Sequence, residues 1–335
     1  MEIIVDNFGS FVGKKSERLV VKNKDSIVVE EPFFKIESIT LASGGISIST
    51  DAIEECMTHG IQINLMSPNG KVYGVIHSPH VNATIVTRRA QLLAAMDSRG
   101  IELVKAIISG KVHNQINTLK YFAKHLKENR VELHEFTQTA VNKMDKHLSH
   151  IRSLESESLD DLRPIVFAAE GQAADTYWKT VAEILKGKVE IPGREHRGAT
   201  DPFNMFLNYG YGILYGRIWG AISTAGLDPY AGFLHVDRSG KASMVLDFIE
   251  EFRQAIVDRV AIASFSRGFD MKQENGQLTI ETRSEIAKRV SERLDSTDSY
   301  DGKKYKLSNI IHAQSRKLAS FLRGEGKYTS HIAGW

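Results

Sequence analysis

Residues 233–253 have the sequence FLHVDRSGKASMVLDFIEEFR, a stretch that combines a histidine, a short polar turn and an apolar run carrying acidic residues. His235 precedes the turn, and Asp247 and Glu250 follow it on a predicted helix. These two acids are three residues apart, so they share one helical face. Carboxylates on one face repel each other unless a positive charge lies between them. A divalent metal ion is the simplest candidate, and His235 is well placed in the sequence to be another ligand.

The composition limits the classes of function that apply. The chain has 335 residues, so two domains are the default expectation, because single cores stop growing at roughly 250–300 residues. A net charge of +2 gives no global basic field of the kind expected for a protein that binds a polyanion. The 43 Lys and Arg residues can still cluster on one surface. The single cysteine, Cys56, excludes an internal disulfide and a cysteine-based zinc site, and we expect it to be a small buried hydrophobic residue.

The apolar segments are not typical of a membrane or secreted protein. The N-terminal sequence MEIIVDNFGS lacks the basic and apolar regions of a signal peptide. The most apolar window, residues 203–226, contains Asn204, Asn208 and Arg217 and falls short of a clean apolar span of ~20 residues. We therefore expect a soluble, cytoplasmic protein.

The fold class follows from a change of periodicity near residue 80. Before it, short β-branched runs alternate with turn formers, and the sequence SPNG at residues 67–70 is a strong hairpin signal. One helix is predicted at 51–59, capped by Thr50 or Asp51. After it, the period is helical. We predict an α+β protein with a small N-terminal β-sheet domain, residues 1–80, followed by a larger all-α catalytic domain, residues 81–335.

The helical part contains one segment that is apolar almost all round, as a central buried helix should be. It spans residues 203–225 and contains Gly212, Gly216 and Gly220 at a spacing of four. Glycine is costly inside a helix, so we expect another helix to pack closely against this stripe. The other predicted helices cover residues 87–98, 101–109, 114–127, 133–153, 162–186, 242–265 with a kink, 282–294 and 307–323.

A third acidic residue, Glu170, completes a candidate metal site. Glu170 lies among small residues in the sequence AAEGQAA, which indicates a position near a helix interface. A set of Glu170, His235 and Glu250, with Asp247 as a ligand or a neighbouring group, suits Mn²⁺ or Mg²⁺ better than structural zinc. Such an ion acts as a Lewis acid on a phosphoryl oxygen. The alternative is that His235 is a capping or core residue and that Glu250 and Glu251 are solvated residues on a helix surface.

Other residues suit nucleic acid, again with a simpler alternative. Several aromatic residues near the candidate site, among them Tyr177 and Tyr211, either stack on bases or belong to the core, and their apolar helices favour the core. The sequence has no phosphate-binding glycine loop, dinucleotide fingerprint or serine nucleophile elbow. The arginines that can bind phosphate are Arg88, Arg89, Arg194, Arg197, Arg217, Arg253 and Arg259.

Four motifs together are more specific than any one of them. They are FAAEGxxAxxYW at 167–178, DPFNxxLNYGYxxL at 201–214, GFLH at 232–235 and LDFIEEFR at 246–253. With a β-rich region before a helical one, they make the chain resemble the CRISPR-associated integrases of spacer acquisition, the Cas-one family. The resemblance covers essentially the whole chain.

The resemblance implies a metal-dependent DNA endonuclease and integrase that uses Mg²⁺ or Mn²⁺. Glu170, His235 and Glu250 match the family's three metal ligands, and Asp247 matches a second acid beside the site. In some members the third ligand is an aspartate. Gln254 replaces a proline that is common in the family, at a position beyond the ligands.

The resemblance also implies partners. The family forms a homodimer through its N-terminal sheets, two dimers flank a dimer of the small protein Cas-two, and the complex holds a prespacer DNA duplex. The 3′-hydroxyl of the prespacer attacks a phosphodiester at the CRISPR repeat by direct transesterification. The alternatives are a DNA-binding architectural subunit with structural carboxylates and a hydrolase of small phosphate esters. The candidate DNA contacts are Arg88, Arg89, Arg194, Arg197, Arg253 and Tyr177.

Overall fold

The computed structural model describes residues 1–78, 85–124, 126–196 and 198–334. Within these ranges strands dominate the first 76 residues and helices dominate from residue 85, which confirms the predicted α+β class. The predicted domain boundary at residues 80 and 81 lies outside the described residues.

Two four-stranded sheets form the N-terminal part. One has the order β4-β3-β2-β6, and the other has the order β1-β5-β7-β8, in which β1, β5 and β7 are parallel and β8 is antiparallel. Val12 and Leu19 of the first sheet and Ile39 and Ile63 of the second belong to one buried apolar cluster. The bounds are β1 (Glu2–Val5), β2 (Ser10–Lys15), β3 (Arg18–Asn23), β4 (Ser26–Pro32), β5 (Ser38–Leu41), β6 (Ser47–Ile48), β7 (Gln62–Met66) and β8 (Val72–Ile76).

The predicted first helix is α1 (Thr50–Thr58), and its cap differs from the prediction by one residue. Ser49, rather than Thr50 or Asp51, accepts a hydrogen bond from the backbone N–H of Ala52 at 3.2 Å. A short side-chain oxygen at this position satisfies one of the free donors of the first helical turn. Cys56 lies on the buried face of α1, in the apolar cluster between the sheets. This confirms the prediction that the single cysteine is a small buried hydrophobic residue.

Ten further helices follow among the described residues. They are α2 (Ile85–Ala94), α3 (Ser98–Ala123), α4 (Leu126–Asn129), α5 (Val131–Ser153), α6 (Leu159–Ile184), α7 (Pro202–Thr224), α8 (Ser243–Ile249), α9 (Arg259–Ser266), α10 (Ile280–Asp295) and α11 (Leu307–Leu322). The predicted kink between residues 242 and 265 is a π-helical turn, Gln254–Asp258. Two small hairpins lie on either side of α10: β9 (Gln273–Glu274) pairs with β10 (Gln277–Leu278), and β11 (Thr297–Tyr300) pairs with β12 (Lys303–Lys306).

Helix α3 is continuous, so the predicted break at Gly110 is wrong. A Cβ atom at Gly110 would overlap the side chain of Ser330 near the C-terminus of the chain. The glycine therefore makes room for a neighbouring segment and does not end the helix. As a result, one helix of 26 residues carries both Lys111 and Asn114 into the centre of the helical part.

The glycine stripe of α7 packs closely, as predicted, but its neighbour is a hairpin of the N-terminal sheet and not a helix. A Cβ atom at Gly212 would overlap the carbonyl oxygen of Gly70, in the turn between β7 and β8. One turn on, a Cβ at Gly216 would lie 2.9 Å from the side chain of Asn64 on β7. Gln62 donates a hydrogen bond to the carbonyl of Gly216 at 2.9 Å. The stripe thus joins the sheet to the central helix. No described helix, α7 included, is long and apolar enough to cross a membrane.

Candidate metal centre

Asp247 organises the loop that carries His235. Its carboxylate is fully buried and accepts hydrogen bonds from three successive backbone N–H groups, those of Phe233 at 2.6 Å, Leu234 at 2.9 Å and His235 at 3.0 Å. Three donors on one carboxylate fix the loop against α8. Asp247 therefore acts through the loop that it holds.

The same carboxylate fixes the imidazole of His235. The ring nitrogen Nδ1 lies 2.7 Å from Oδ1 of Asp247. With Nδ1 donating to the carboxylate, Nε2 is the nitrogen left to accept a proton or bind a cation. The ring also makes an edge contact with Phe167 of α6, at 6.1 Å between centroids. The interpretation of His235 as a helix-capping residue does not fit this geometry.

Glu170 and Glu250 come from different helices and converge on one ammonium group. Glu170 is in the middle of α6, and Glu250 follows the last residue of α8. Nζ of Lys111, on α3, lies 2.6 Å from Oε1 of Glu170 and 2.7 Å from Oε2 of Glu250. Three helices thus meet at two carboxylates and one cation.

Lys111 was missed by the sequence analysis. It lies in the sequence ISGKVHNQI, where it is the one lysine or arginine among apolar and uncharged polar residues. That pattern was the available signal, because a lysine on the buried side of a helix requires a partner. Its side chain is only 13% exposed.

Glu250 is the most buried acid of the pair, with a side chain 5% exposed. Burial alone raises the pKa of a carboxyl group, but the positive charges of Arg253 and Lys111 outweigh it and lower the pKa of Glu250 to about 2. A guanidinium nitrogen of Arg253 lies 3.4 Å from Oε1 of Glu250. Glu250 is therefore ionised in the folded protein at any pH near neutrality.

A cavity of about 460 Å³ opens beside Glu170 and Lys111, a volume within the range of small-ligand sites. Its wall carries an excess of positive charge. The lining residues that matter for chemistry are Lys111, Glu170, Trp178, Arg194, His196 and Arg253.

Arg194 and Arg253, two of the predicted DNA contacts, both line this cavity. The guanidinium of each lies over the ring of Tyr211, at 5.3 Å and 4.8 Å from its centroid respectively. Arg194 also donates to the side-chain oxygen of Asn208 at 2.7 Å. The two arginines are therefore held in place by side chains of α7, and both line the cavity.

The other predicted DNA contacts lie elsewhere. Arg88 and Arg89 are exposed on α2 and do not line the cavity, and Arg197 lies outside the described residues. Tyr177 has no exposed surface, and its hydroxyl donates to Asp258 at 3.0 Å. A ring enclosed in this way cannot stack on a base, so the alternative assignment of Tyr177 to the core is the one that the structure supports.

Glu251 is not solvated, contrary to the prediction. It is fully buried and faces away from the candidate site, toward the C-terminal segment. The hydroxyl of Tyr328 donates to its carboxylate, as do the side chain of Gln314 at 3.2 Å and the backbone N–H of His331 at 3.0 Å. Adjacent acids therefore have different environments, because consecutive residues point to different sides of the chain at this turn.

The residues present fit a divalent cation, although in their present arrangement no three His, Cys, Asp or Glu side chains of the described residues are close enough to hold one. Oε2 of Glu250 is buried with only the Lys111 ammonium beside it and lacks a well-aligned hydrogen bond. Two carboxylates that already converge on a cation, next to a histidine oriented by a third carboxylate, form a donor set typical of Mg²⁺ or Mn²⁺ sites.

Comparison with known proteins identifies the family of the chain. The family model described as CRISPR associated protein Cas1 matches residues 3–292. The chain is 34% identical over 347 residues to a protein of Archaeoglobus fulgidus named CRISPR-associated endonuclease Cas1 1, with 100% of each chain covered.

Two solved structures share the fold. A casposase bound to integration product is similar with a TM-score of 0.81 and 22% identity, covering 98% of this chain and 92% of that one. A chain of a Cas6-RT-Cas1–Cas2 complex has a TM-score of 0.79 and 20% identity over 99% of this chain, which spans 36% of that longer protein. Because the family model covers most of the chain and the archaeal relative matches it from end to end, the chain belongs to the Cas1 family of CRISPR-associated proteins.

Proposed function

We propose that this protein is a metal-dependent DNA endonuclease and integrase of CRISPR adaptation, which inserts prespacer DNA into the CRISPR array. The observation that carries the proposal is the convergence of Glu170 and Glu250 on one cation beside His235, within a member of the Cas1 family. A relative named an endonuclease and a similar fold in a casposase bound to integration product both support DNA as the substrate.

In this proposal Glu170, His235 and Glu250 hold Mg²⁺ or Mn²⁺. A bound ion would supply Lewis-acid stabilisation of charge on a phosphoryl oxygen. Asp247 keeps Nδ1 of His235 engaged at 2.7 Å, so Nε2 would be the ring nitrogen available to an ion. The four residues thus have two roles, three as ligands and one as the residue that orients a ligand.

The cavity wall suits a phosphodiester. Arg194 and Arg253 place fixed guanidinium groups there, and guanidinium forks match phosphate oxygens. Among the described residues that line the cavity there is no serine, threonine or cysteine to act as a nucleophile. That lining agrees with direct attack by a 3′-hydroxyl of DNA, since transesterification by the substrate requires no covalent protein intermediate.

The partners belong to the same proposal. We infer a homodimer through the N-terminal sheets that assembles with a Cas2 dimer on prespacer DNA, because a fold neighbour is part of a complex with Cas2. Arg88 and Arg89, exposed on α2 outside the cavity, remain candidate DNA contacts, as does Arg197, which lies outside the described residues.

A strand-transfer assay tests the proposal. Glu170→Ala, His235→Ala and Glu250→Ala should each abolish Mn²⁺-dependent joining of a 3′-hydroxyl end to a repeat-containing duplex, while DNA binding in a gel-shift assay persists. Glu183→Ala is the matched control, since Glu183 is on the same helix as Glu170 but pairs with exposed Lys186. Strand transfer at the wild-type rate by any of the three site variants would exclude the assigned ligands.

A second candidate function has one observation in its favour. Lys111 already pairs with both carboxylates and Arg253 pairs with Glu250, so the site is neutralised without a metal, as expected for a DNA-binding architectural subunit with structural acids. Calorimetric titration of the wild-type protein with Mn²⁺ separates the two candidates. Saturable binding that Glu170→Gln weakens supports the integrase, whereas no binding together with intact DNA affinity supports the architectural subunit.

A further inference from the structure

Lys111 occupies the space that a shared metal ion requires. Its Nζ lies within hydrogen-bonding distance of one oxygen of Glu170 and one oxygen of Glu250. An ion bound to both carboxylates takes up the gap between the same two oxygens, since Mg²⁺ approaches its oxygen ligands to about 2.0–2.1 Å. An ammonium group and a divalent ion cannot share that gap.

The charge balance of the site gives the same result. In the arrangement observed, the two carboxylates face two positive side chains, Lys111 and Arg253, and the group is neutral. A divalent ion by itself neutralises both carboxylates, and Arg253 then leaves the centre with one excess positive charge. The ammonium of Lys111 becomes surplus, and at close range with little water its repulsion from the ion is strong.

The structure provides a place for the displaced side chain. Lys111 itself lines the cavity of about 460 Å³, so a rotation about its side-chain bonds carries Nζ into open space without a movement of α3. Lysine has a flexible four-carbon stem, whereas an arginine in this position would hold its planar fork more rigidly.

We propose that Lys111 holds the two carboxylates together in the metal-free protein and that metal binding displaces its ammonium into the cavity, where it binds a nucleic-acid phosphate beside Arg194. This inference rests on the metal site of the proposed function. Lys111 is then a positioning residue in the metal-free state and a phosphate ligand in the metal-bound state. Metal binding therefore prepares the site for DNA, because it releases a cation that the acids would otherwise retain.

Chemical labelling of the wild-type protein tests the displacement directly. The purified full chain is treated briefly with an amine-acylating reagent, with and without saturating Mg²⁺, and the modified lysines are located by peptide mass spectrometry. Lys111 should be protected without metal and be modified several-fold faster with it. Lys179 is the internal control, because it lines the same cavity but pairs with Asp175 at a site where its side chain is 72% exposed, and its rate should not change.

Metal affinity gives a second, independent readout. In Lys111→Met the competing ammonium is absent, so calorimetry should show Mn²⁺ binding tightened by about tenfold, a change of about 1.4 kcal/mol. Lys179→Met should bind Mn²⁺ like the wild type. Circular dichroism checks that both variants are folded. If Lys111→Met does not fold, the labelling of the wild-type protein alone tests the displacement of Lys111.

The outcomes separate this inference from the function on which it rests. Wild-type protein that binds Mn²⁺ while Lys111 stays protected overturns the displacement and leaves the metal site intact. Weaker Mn²⁺ binding by folded Lys111→Met has the same meaning, because it shows an ammonium that supports the ion instead of competing with it. Wild-type protein that binds no Mn²⁺ overturns both proposals.

Discussion

Replacement of Asp247 by asparagine tests whether a single buried carboxylate sets up His235. The carboxylate accepts four hydrogen bonds, two on each oxygen: from the N–H groups of Phe233 and Leu234 on Oδ2, and from the N–H and Nδ1 of His235 on Oδ1. Asparagine keeps one of these oxygens and turns the other into a donor. With the amide nitrogen on the Oδ2 side, it faces the two N–H groups of Phe233 and Leu234; on the Oδ1 side, it faces the N–H of His235 and the imidazole.

The magnitude follows from those contacts. Hydrogen bonds to a charged group contribute about 1.5–3 kcal/mol each, so the loss of two on one side costs about 3 kcal/mol or more of the free energy of unfolding. If the amide group turns toward the imidazole, Nδ1 becomes the acceptor and Nε2 carries the proton, which prevents Nε2 from binding a cation. Loss of a residue that orients a metal-binding histidine lowers metal affinity by about 10–100-fold.

Urea denaturation and Mn²⁺ calorimetry on Asp247→Asn measure the two effects separately. Asp228→Asn is the control, because Asp228 accepts a backbone hydrogen bond at 2.8 Å near the same loop but does not contact His235. Asp247→Asn should lose both stability and metal affinity, and Asp228→Asn should keep its affinity. An Asp247→Asn protein that binds Mn²⁺ as tightly as the wild type would refute the assigned role of this carboxylate.

Three further predictions concern the scaffold. Gly212→Val places a branched side chain against the Gly70 carbonyl and should lower the free energy of unfolding by about 3 kcal/mol, as measured by urea denaturation; an unchanged midpoint would contradict the close contact. Burial raises the pKa of the Cys56 thiol to about 12, so a disulfide reagent at pH 8 should label Cys56 only after denaturation, and rapid labelling of the folded protein would show an open site. Tyr177→Phe removes a buried hydrogen bond to Asp258 and should cost about 1–3 kcal/mol without a change in DNA affinity, whereas weaker DNA binding by the folded variant would restore the stacking hypothesis.

The sequence predicts local features well where a local pattern determines them. The α+β class, the hairpin at residues 67–70 and the start of the helix at Pro202 all follow from turn chemistry and periodicity. The predicted helix break at Gly110 and the predicted helical neighbour of the α7 stripe were wrong for one reason. Each glycine faces a segment more than 100 residues away in sequence, Ser330 in one case and Gly70 in the other, and no local pattern contains that contact.

The candidate site divides in the same way. Asp247 and His235 are 12 residues apart, and their proximity follows from a turn followed by a helix. Glu170 became a candidate through the small residues around it, and the family resemblance then matched it to Glu250. No local pattern pairs the two acids, since 80 residues separate them and neither helix indicates the other. Lys111 had no motif to mark it, because its partners are supplied by two helices that follow it in the chain.

The C-terminal segment explains why Lys111 meets Glu250 so closely. Asn114, one helical turn after Lys111 on α3, donates from its side-chain amide to the backbone carbonyls of both Glu251 and His331, each at 2.9 Å. The N–H of His331 in turn donates to the Glu251 carboxylate. These bonds tie α3 to the residue next to Glu250 through buried polar groups, which are costly to separate. Because Glu251 is used for this connection, the adjacent Glu250 is left to pair with the ammonium of Lys111.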